Sequence, residues 1–321
     1  MNGPRKAPQP IPYQGSKRRI AEKILRYFPR DVSRLVEPFA GSAAVSIAAA
    51  ARGWAGRFWI NDGNRPLIAL WREIIGRPEN IAKRYEKLWN DQLGREREFF
   101  DQVRARFNRS HDSADFLYLL SRCVKAAVRY NGRGEFNNTP DNRRKGARPA
   151  GMRRRIRLAA DPLLGRSRLT AWDYSKVLSQ CTRQDLVYLD PPYQGVSGIG
   201  INASGASGGR DSRYLPKVDH DQFCQELDKL SRRSIKFIVS YDGRTGARAF
   251  GHPLPRSLGL LQLEIRAGRS AQATLLGRNE ITYESLYLSP ALAESMDCDR
   301  QFSECTPSSN NGKAAPIRQG R

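Results

Sequence analysis

Apolar positions first recur at helical spacing in SKRRIAEKILRYF (16–28), where Ile20, Ile24, Leu25 and Phe28 share a face and Ser16 stands as an N-cap. The run RLVEPF (34–39) reads as a short buried strand, and GSAAVSIAAAARG (41–53) as a helix ended by Gly53. GRFWIND (56–62) reads as a second strand and NRPLIALWREIIG (64–76) as a second helix. This strand–helix alternation predicts a parallel sheet with helices on its faces.

From 77 to 130 the pattern turns helical and polar, with LYLLSRCVKAAVRY (117–130) the most apolar helix. The stretch 131–157 is rich in Gly, Asn and Arg and interrupts the rhythm. Between Asp141 and Arg157, eight of seventeen residues are Lys or Arg and one is acidic, which reads as a basic loop. The rhythm resumes with strands at SRLTAWDY (167–174) and DLVYLD (185–190), a helix over 219–233 carrying Phe223, Leu227 and Leu230, and a strand over 235–242. GLLQLEIRAG (259–268) and EITYESLYLS (280–289) predict a closing antiparallel pair. In 195–213, ten of nineteen residues are Gly or Ser, which predicts a mobile segment. Residues 1–10 read as a flexible N-terminus and 291–321 as a disordered tail. The organisation expected is therefore an α/β body over 11–76 and 168–290, with a mostly helical insert over 77–167.

Composition narrows the function. No stretch approaches the roughly 20 apolar residues of a membrane span. The start, MNGPRKAPQPIPY, has proline where a signal peptide is apolar, so a cytoplasmic protein is expected. The five cysteines are widely spaced and odd in number, and the three histidines are far apart. Neither a disulfide framework nor a metal site is expected from them. Lys and Arg total 55 against 32 acids, a formal charge of +23. Self-repulsion of that size points to a polyanionic partner, nucleic acid first, although a solvated basic surface would look the same.

Three stretches carry chemistry. In VEPFAGSAAV (36–45) a strand runs through Phe39 into a turn at Gly41 and then a helix, whose N-terminal N–H groups can approach a ligand; Glu37 could meet a cation. In FWINDGN (58–64), Asp62 ends the next strand, where an acidic residue accepts ribose hydroxyls; Asn61, Asp62 and Asn64 are also all capping residues for the following helix, and the two roles can coexist. In DPPY (190–193), a carboxylate, a stiffened carbonyl and a flat ring follow a buried strand. That set suits an exocyclic amine on a planar ring.

With PYQGSK (12–17), NDGN (61–64), YNGRGEFN (130–137) and WDY (172–174), these stretches resemble the motifs of the Dam-type N6-adenine DNA methyltransferases, in the alpha-type order with the recognition insert before DPPY. The resemblance spans about residues 11–290. It implies a Rossmann-like S-adenosylmethionine-dependent methyltransferase sheet with an inserted, mostly helical DNA-recognition domain. The implied catalytic residues are Asp190, Pro191, Pro192 and Tyr193. The implied cofactor residues are Tyr13, Gly15, Lys17, Glu37, Phe39, Gly41, Asp62, Asp173 and Asp190. The implied partner is double-stranded DNA, and such enzymes can also have a cognate restriction endonuclease. Asp190 and the Pro191 carbonyl would accept hydrogen bonds from adenine N6, Tyr193 would stack on the flipped base, and no metal would be needed. Together with the charge map, the resemblance assigns DNA contacts to Arg129, Asn131, Arg133, Asn137, Arg143, Arg144, Lys145, Arg153, Arg154 and Arg155. Ala43 stands where the family often has a further glycine, a departure that predicts at most a modest loss of cofactor affinity. An RNA exocyclic-amine methyltransferase and a catalytically inactive DNA-binding protein are the competing readings; the long insert counts against the first. A protein-glutamine methylase would favour Asn at position 190.

Overall fold

The computed structural model describes residues 7–192, 218–245, 248–250, 253–269 and 281–296. Five strands, β1 (Val32–Glu37), β2 (Ala55–Asn61), β3 (Ser167–Thr170), β4 (Asp185–Leu189) and β5 (Lys236–Thr245), run parallel. β7 (Leu261–Arg269) and β8 (Ile281–Leu288) join antiparallel, giving the order β3-β2-β1-β4-β5-β8-β7. β6 (Arg248–Phe250) pairs with the end of β5. The expected closing hairpin is present in register, Leu261 opposite Leu288.

The central strands are buried on both faces, which is why they read as apolar runs. Leu35, Phe58, Ile60, Leu186, Tyr188 and Ile238 point to one face, and Val36, Trp59, Val187, Leu189, Phe237 and Val239 to the other. On the first face lie α1 (Ala21–Ile24), α2 (Ala44–Arg52) and α3 (Arg65–Gly76). The second is covered by α8 (Tyr174–Ser179) and α9 (His220–Arg232). Within the sheet, β1 continues toward β2 on one side and meets β4 on the other. The crevice at that reversal opens at the carboxyl ends of the strands.

Between β2 and β3 stand α4 (Pro78–Asp91), α5 (Glu96–Ser110), α6 (Ser113–Arg122) and α7 (Pro149–Ala160). Their buried Tyr85, Phe100, Phe107, Phe116 and Met152 continue the first-face core without a break. Segment 123–148 is irregular, and side chains tie it down. Asn108 accepts from Phe136 N–H (2.8 Å) and donates to Phe136 O (3.1 Å). Tyr85 donates to Ala147 O (2.7 Å) and Gln92 to Lys145 O (2.9 Å).

The local expectations fail at five places. The helix expected over 16–28 is broken: only Ala21–Ile24 is α-helical, between two 3-10 turns, and Ser16 accepts from Ser42 Oγ (2.7 Å) instead of capping. The helix expected over 117–130 starts earlier, where Asp112 caps Ala114 and Asp115, and ends at Arg122. The strand expected to reach 174 stops at Thr170, because Asp173 caps α8 by accepting from Ser175 N–H (2.9 Å). The basic loop contains α7, whose Met152, Ile156, Ala159 and Ala160 form a buried stripe at helical spacing. Of the tail expected from 291, residues 291–296 are instead helical, with Leu292 fully buried, and the remainder lies outside the described residues. Among the described residues no helix is long and apolar enough to cross a membrane.

Candidate active site

Asp190 follows the wholly buried β4 at its carboxyl end. Lys17 Nζ reaches it at 3.0 Å and reaches Glu284 at 2.6 Å. The Lys17 side chain is only 8% exposed, so this cation was taken out of water to stand between two carboxylates. Burial opposes its charge, but Asp190 and Glu284 outweigh that and raise its pKa above the ordinary lysine value. Glu284 lies on β8 and also accepts from Ser240 Oγ at 2.8 Å. Pro191 is buried and Pro192 exposed. Tyr193 and the Gly/Ser segment 195–213 lie outside the described residues.

Glu37, the last residue of β1, is 2% exposed. Burial pushes its carboxyl up to about 8, against hydrogen bonds from Ser46, and the nearby Asp190 adds to the rise. Its Oε2 accepts from Ser46 N–H at 3.4 Å, at the first turn of α2. The turn between them bends at Gly41 (φ +50°), where an added Cβ would lie 3.1 Å from the Tyr13 ring. A side chain there would crowd the Tyr13 ring, which lies against the backbone, in a left-handed conformation that favours glycine. Ala43 also adopts left-handed backbone (φ 47°, ψ 37°) and is fully buried.

Asp62 accepts from Gly41 N–H and from Asn64 N–H, both at 2.9 Å, and so stitches the β2 end to the β1 turn. Burial raises its pKa, and the two N–H bonds oppose the rise. The cap of α3 is Asn64, which accepts from Leu67 N–H at 3.4 Å, and Asp62 is left to tie the two turns together. Tyr130 Oη donates to Asn64 Oδ1 (3.3 Å), while Asn64 Nδ2 is buried without a partner. Burial pushes the Tyr13 phenol well up, and Asp62, Tyr130 and Asp190 push the same way. Phe39 packs on Tyr174 at 5.0 Å and on Phe223 at 6.3 Å, walling the crevice on the α9 side.

Tyr13, Lys17, Glu37, Gly41, Asp62 and Asp190 therefore converge on one crevice. Gly15 lies in an exposed turn with nothing within 4 Å of an added Cβ, and exposed Asp173 caps α8. Sequence reasoning missed Glu284 and Ser240. A signal existed for Glu284: it shares the period-2 face of Leu286 and Leu288, and a charge on a core face asks for a buried partner.

The basic residues divide by their partners. Arg153 bonds Glu79 (3.1 Å) and Glu86 (2.6 Å), which pins α7 to α4. Lys145 pairs with Glu96 (2.7 Å), and Arg143 and Arg144 flank Asp141 (3.3 and 3.4 Å). Asn131 organises the turn 131–135, accepting from Arg133 and Glu135 N–H (2.9 Å each). Arg133, Asn137, Arg154 and Arg155 are exposed, and Arg129 is half-buried.

The parallel order, the β1/β4 crevice and the carboxylate that ends β4 are consistent with a Rossmann-like methyltransferase fold. A profile of the D12 class N6 adenine-specific DNA methyltransferases matches residues 13–264, and the chain belongs to that family. It is 27% identical to the DNA N-6-adenine-methyltransferase of Escherichia phage P1, over 75% of this chain and 30% of the phage protein. It is 30% identical to the Retron Ec67 DNA adenine methylase of Escherichia coli, over 58% of this chain and 63% of the relative. A DNA adenine methylase of Vibrio cholerae is 25% identical over 84% of this chain and 92% of its own length. The chain thus spans less than two thirds of the first two relatives and most of the third.

Proposed function

We propose that this chain transfers a methyl group from S-adenosylmethionine to N6 of an adenine flipped out of duplex DNA at a specific site. The observation that carries the reading is Asp190, held at the carboxyl end of β4 by a buried lysine and next to a proline carbonyl. Asp190 and Pro191 O would accept the two N6–H hydrogen bonds and so localise the amine's electron pair. Positioning and electrostatics would carry the rate.

The crevice residues suit the cofactor. Asp62 stands at the β2 end, where ribose hydroxyls would meet it, and the unpartnered Asn64 Nδ2 beside it has a donor to spare. The Tyr13 ring against Gly41 offers a flat wall. Glu37 lies where a cationic centre would lower the cost of ionising its buried carboxyl. When bound, the cofactor supplies an activated methyl on a sulfonium. The insert 77–167 would read the target, with Arg133, Asn137, Arg154 and Arg155 as its open contacts. A modification role beside a cognate restriction endonuclease fits such an activity, as does a free-standing one.

Incubation with methyl-labelled cofactor and plasmid DNA should yield N6-methyladenine at one sequence. Asp190→Ala should lower transfer by roughly 10³-fold or more while cofactor binding stays within a few-fold. No N6-methyladenine on any DNA, with normal cofactor binding, would sink the reading. Preferential methylation of structured RNA in competition would replace DNA with RNA.

A further inference from the structure

Lys17 has two carboxylate partners, and only Asp190 belongs to the family's tetrad. Glu284 reaches Lys17 more closely, at 2.6 Å against 3.0 Å, with its own side chain 13% exposed. It comes from β8, two strands from β4 across β5, and the backbone is shaped to deliver it. The β5–β8 register shifts between Ser240 and Gly243. At Gly243, opposite Glu284, an added Cβ would lie 2.6 Å from Tyr283 O, so only glycine allows this approach. On the near side of the bulge, Ser240 Oγ donates to Glu284 Oε1 at 2.8 Å and fixes the carboxylate. Ser240 is fully buried, so the bond is shielded from water.

We propose that Glu284 is a positioning residue for methyl transfer. It anchors Lys17 independently of Asp190, so that the lysine keeps orienting Asp190 when that carboxylate engages the substrate. A lysine with one partner would close on Asp190 and compete with any incoming amine. A lysine held also by Glu284 divides its three N–H donors and its charge between two carboxylates. Lys17 then stays in place, and its charge stays fixed, when Asp190 turns toward the substrate. This inference rests on the adenine-methylation reading above.

The test uses the full chain with DNA carrying its methylation site. Glu284→Gln keeps shape and the Ser240 contact but removes the charge. The expected result is a single-turnover transfer rate about 10–100-fold lower, with cofactor and DNA Kd each within about threefold of wild type. Ser240→Ala, which leaves both ion pairs, should lower the rate about threefold with the same split. A Glu284→Gln rate within twofold of wild type overturns the proposal and leaves the methylase reading standing. Losses that appear in Kd or in thermal stability, with the bound-state rate unchanged, assign Glu284 a structural role and also overturn it. If Glu284→Gln does not fold, an unchanged Ser240→Ala rate overturns it. Wild-type protein that binds cofactor but methylates no DNA fails the functional reading, and this inference falls with it.

Discussion

Ala43 shows what a single residue contributes to the crevice. The turn from β1 into α2 needs left-handed backbone twice, at Gly41 and again at Ala43. Left-handed geometry costs an L-residue roughly 1–2 kcal/mol. Against that, Ala43 buries a methyl that glycine would lose. Ala43→Gly should therefore raise stability by about 0.5–1 kcal/mol, measured by urea unfolding, with cofactor Kd equal or slightly tighter. The missing family glycine was visible in the sequence; its cost became assessable only with φ known.

Glu37 gives the residue-scale pH dependence. Its pKa is about 8 in the folded protein against an ordinary 4.5. Between those values the folded state keeps a proton that the unfolded chain has released. Stability supplied by this group is complete below pH 4.5 and is lost as pH rises through 8. Glu37→Gln should remove that slope, and its stability advantage over wild type should be larger at pH 8 than at pH 5 by about 2–4 kcal/mol. Denaturant titrations at the two pH values check this; an equal gap at both would mean that Glu37 is ionised in the fold.

At the scale of elements, α7 separates arginines that the sequence could not tell apart. Arg153 and Arg157 turn toward Glu79 of α4, while Arg154 and Arg155 face solvent. A helix puts neighbours about 100° apart, so a run of three arginines cannot share one role. Arg153→Ala should lower Tm by about 1–2 °C and leave DNA affinity within twofold. Arg154→Ala with Arg155→Ala should leave Tm unchanged and weaken DNA binding at low salt. Thermal unfolding and fluorescence anisotropy distinguish the two. The same limit explains the missed start of α7: its buried stripe of Met152, Ile156, Ala159 and Ala160 is thin and flanked by charge. Strands β1, β2, β4 and β5 were legible because burial on both faces makes them continuous apolar runs.

For the whole molecule, the charge of +23 sets how it meets a polyanion. Affinity for duplex DNA should fall linearly in log–log with salt. Removing Arg154 and Arg155 together should reduce the magnitude of that slope by about 2, if each neutralises one phosphate. A slope unchanged by the double variant would move the interface off α7.

The sequence by itself determined the order of the motifs and the parallel core, and it singled out Asp62 and Asp190 at strand ends and, through the resemblance of PYQGSK to a family motif, Lys17. The core and the strand-end acids follow from periodicity and from residue types, which are local properties. Only the tertiary structure decided which charges meet. Lys17 lies 173 positions from Asp190 and 267 from Glu284, yet all three share one buried site. It also decided that Asn64, not Asp62, caps α3, and that Arg153 faces α4. Such pairings depend on sheet order, on the β5 bulge and on helix rotation, and long-range packing sets all three.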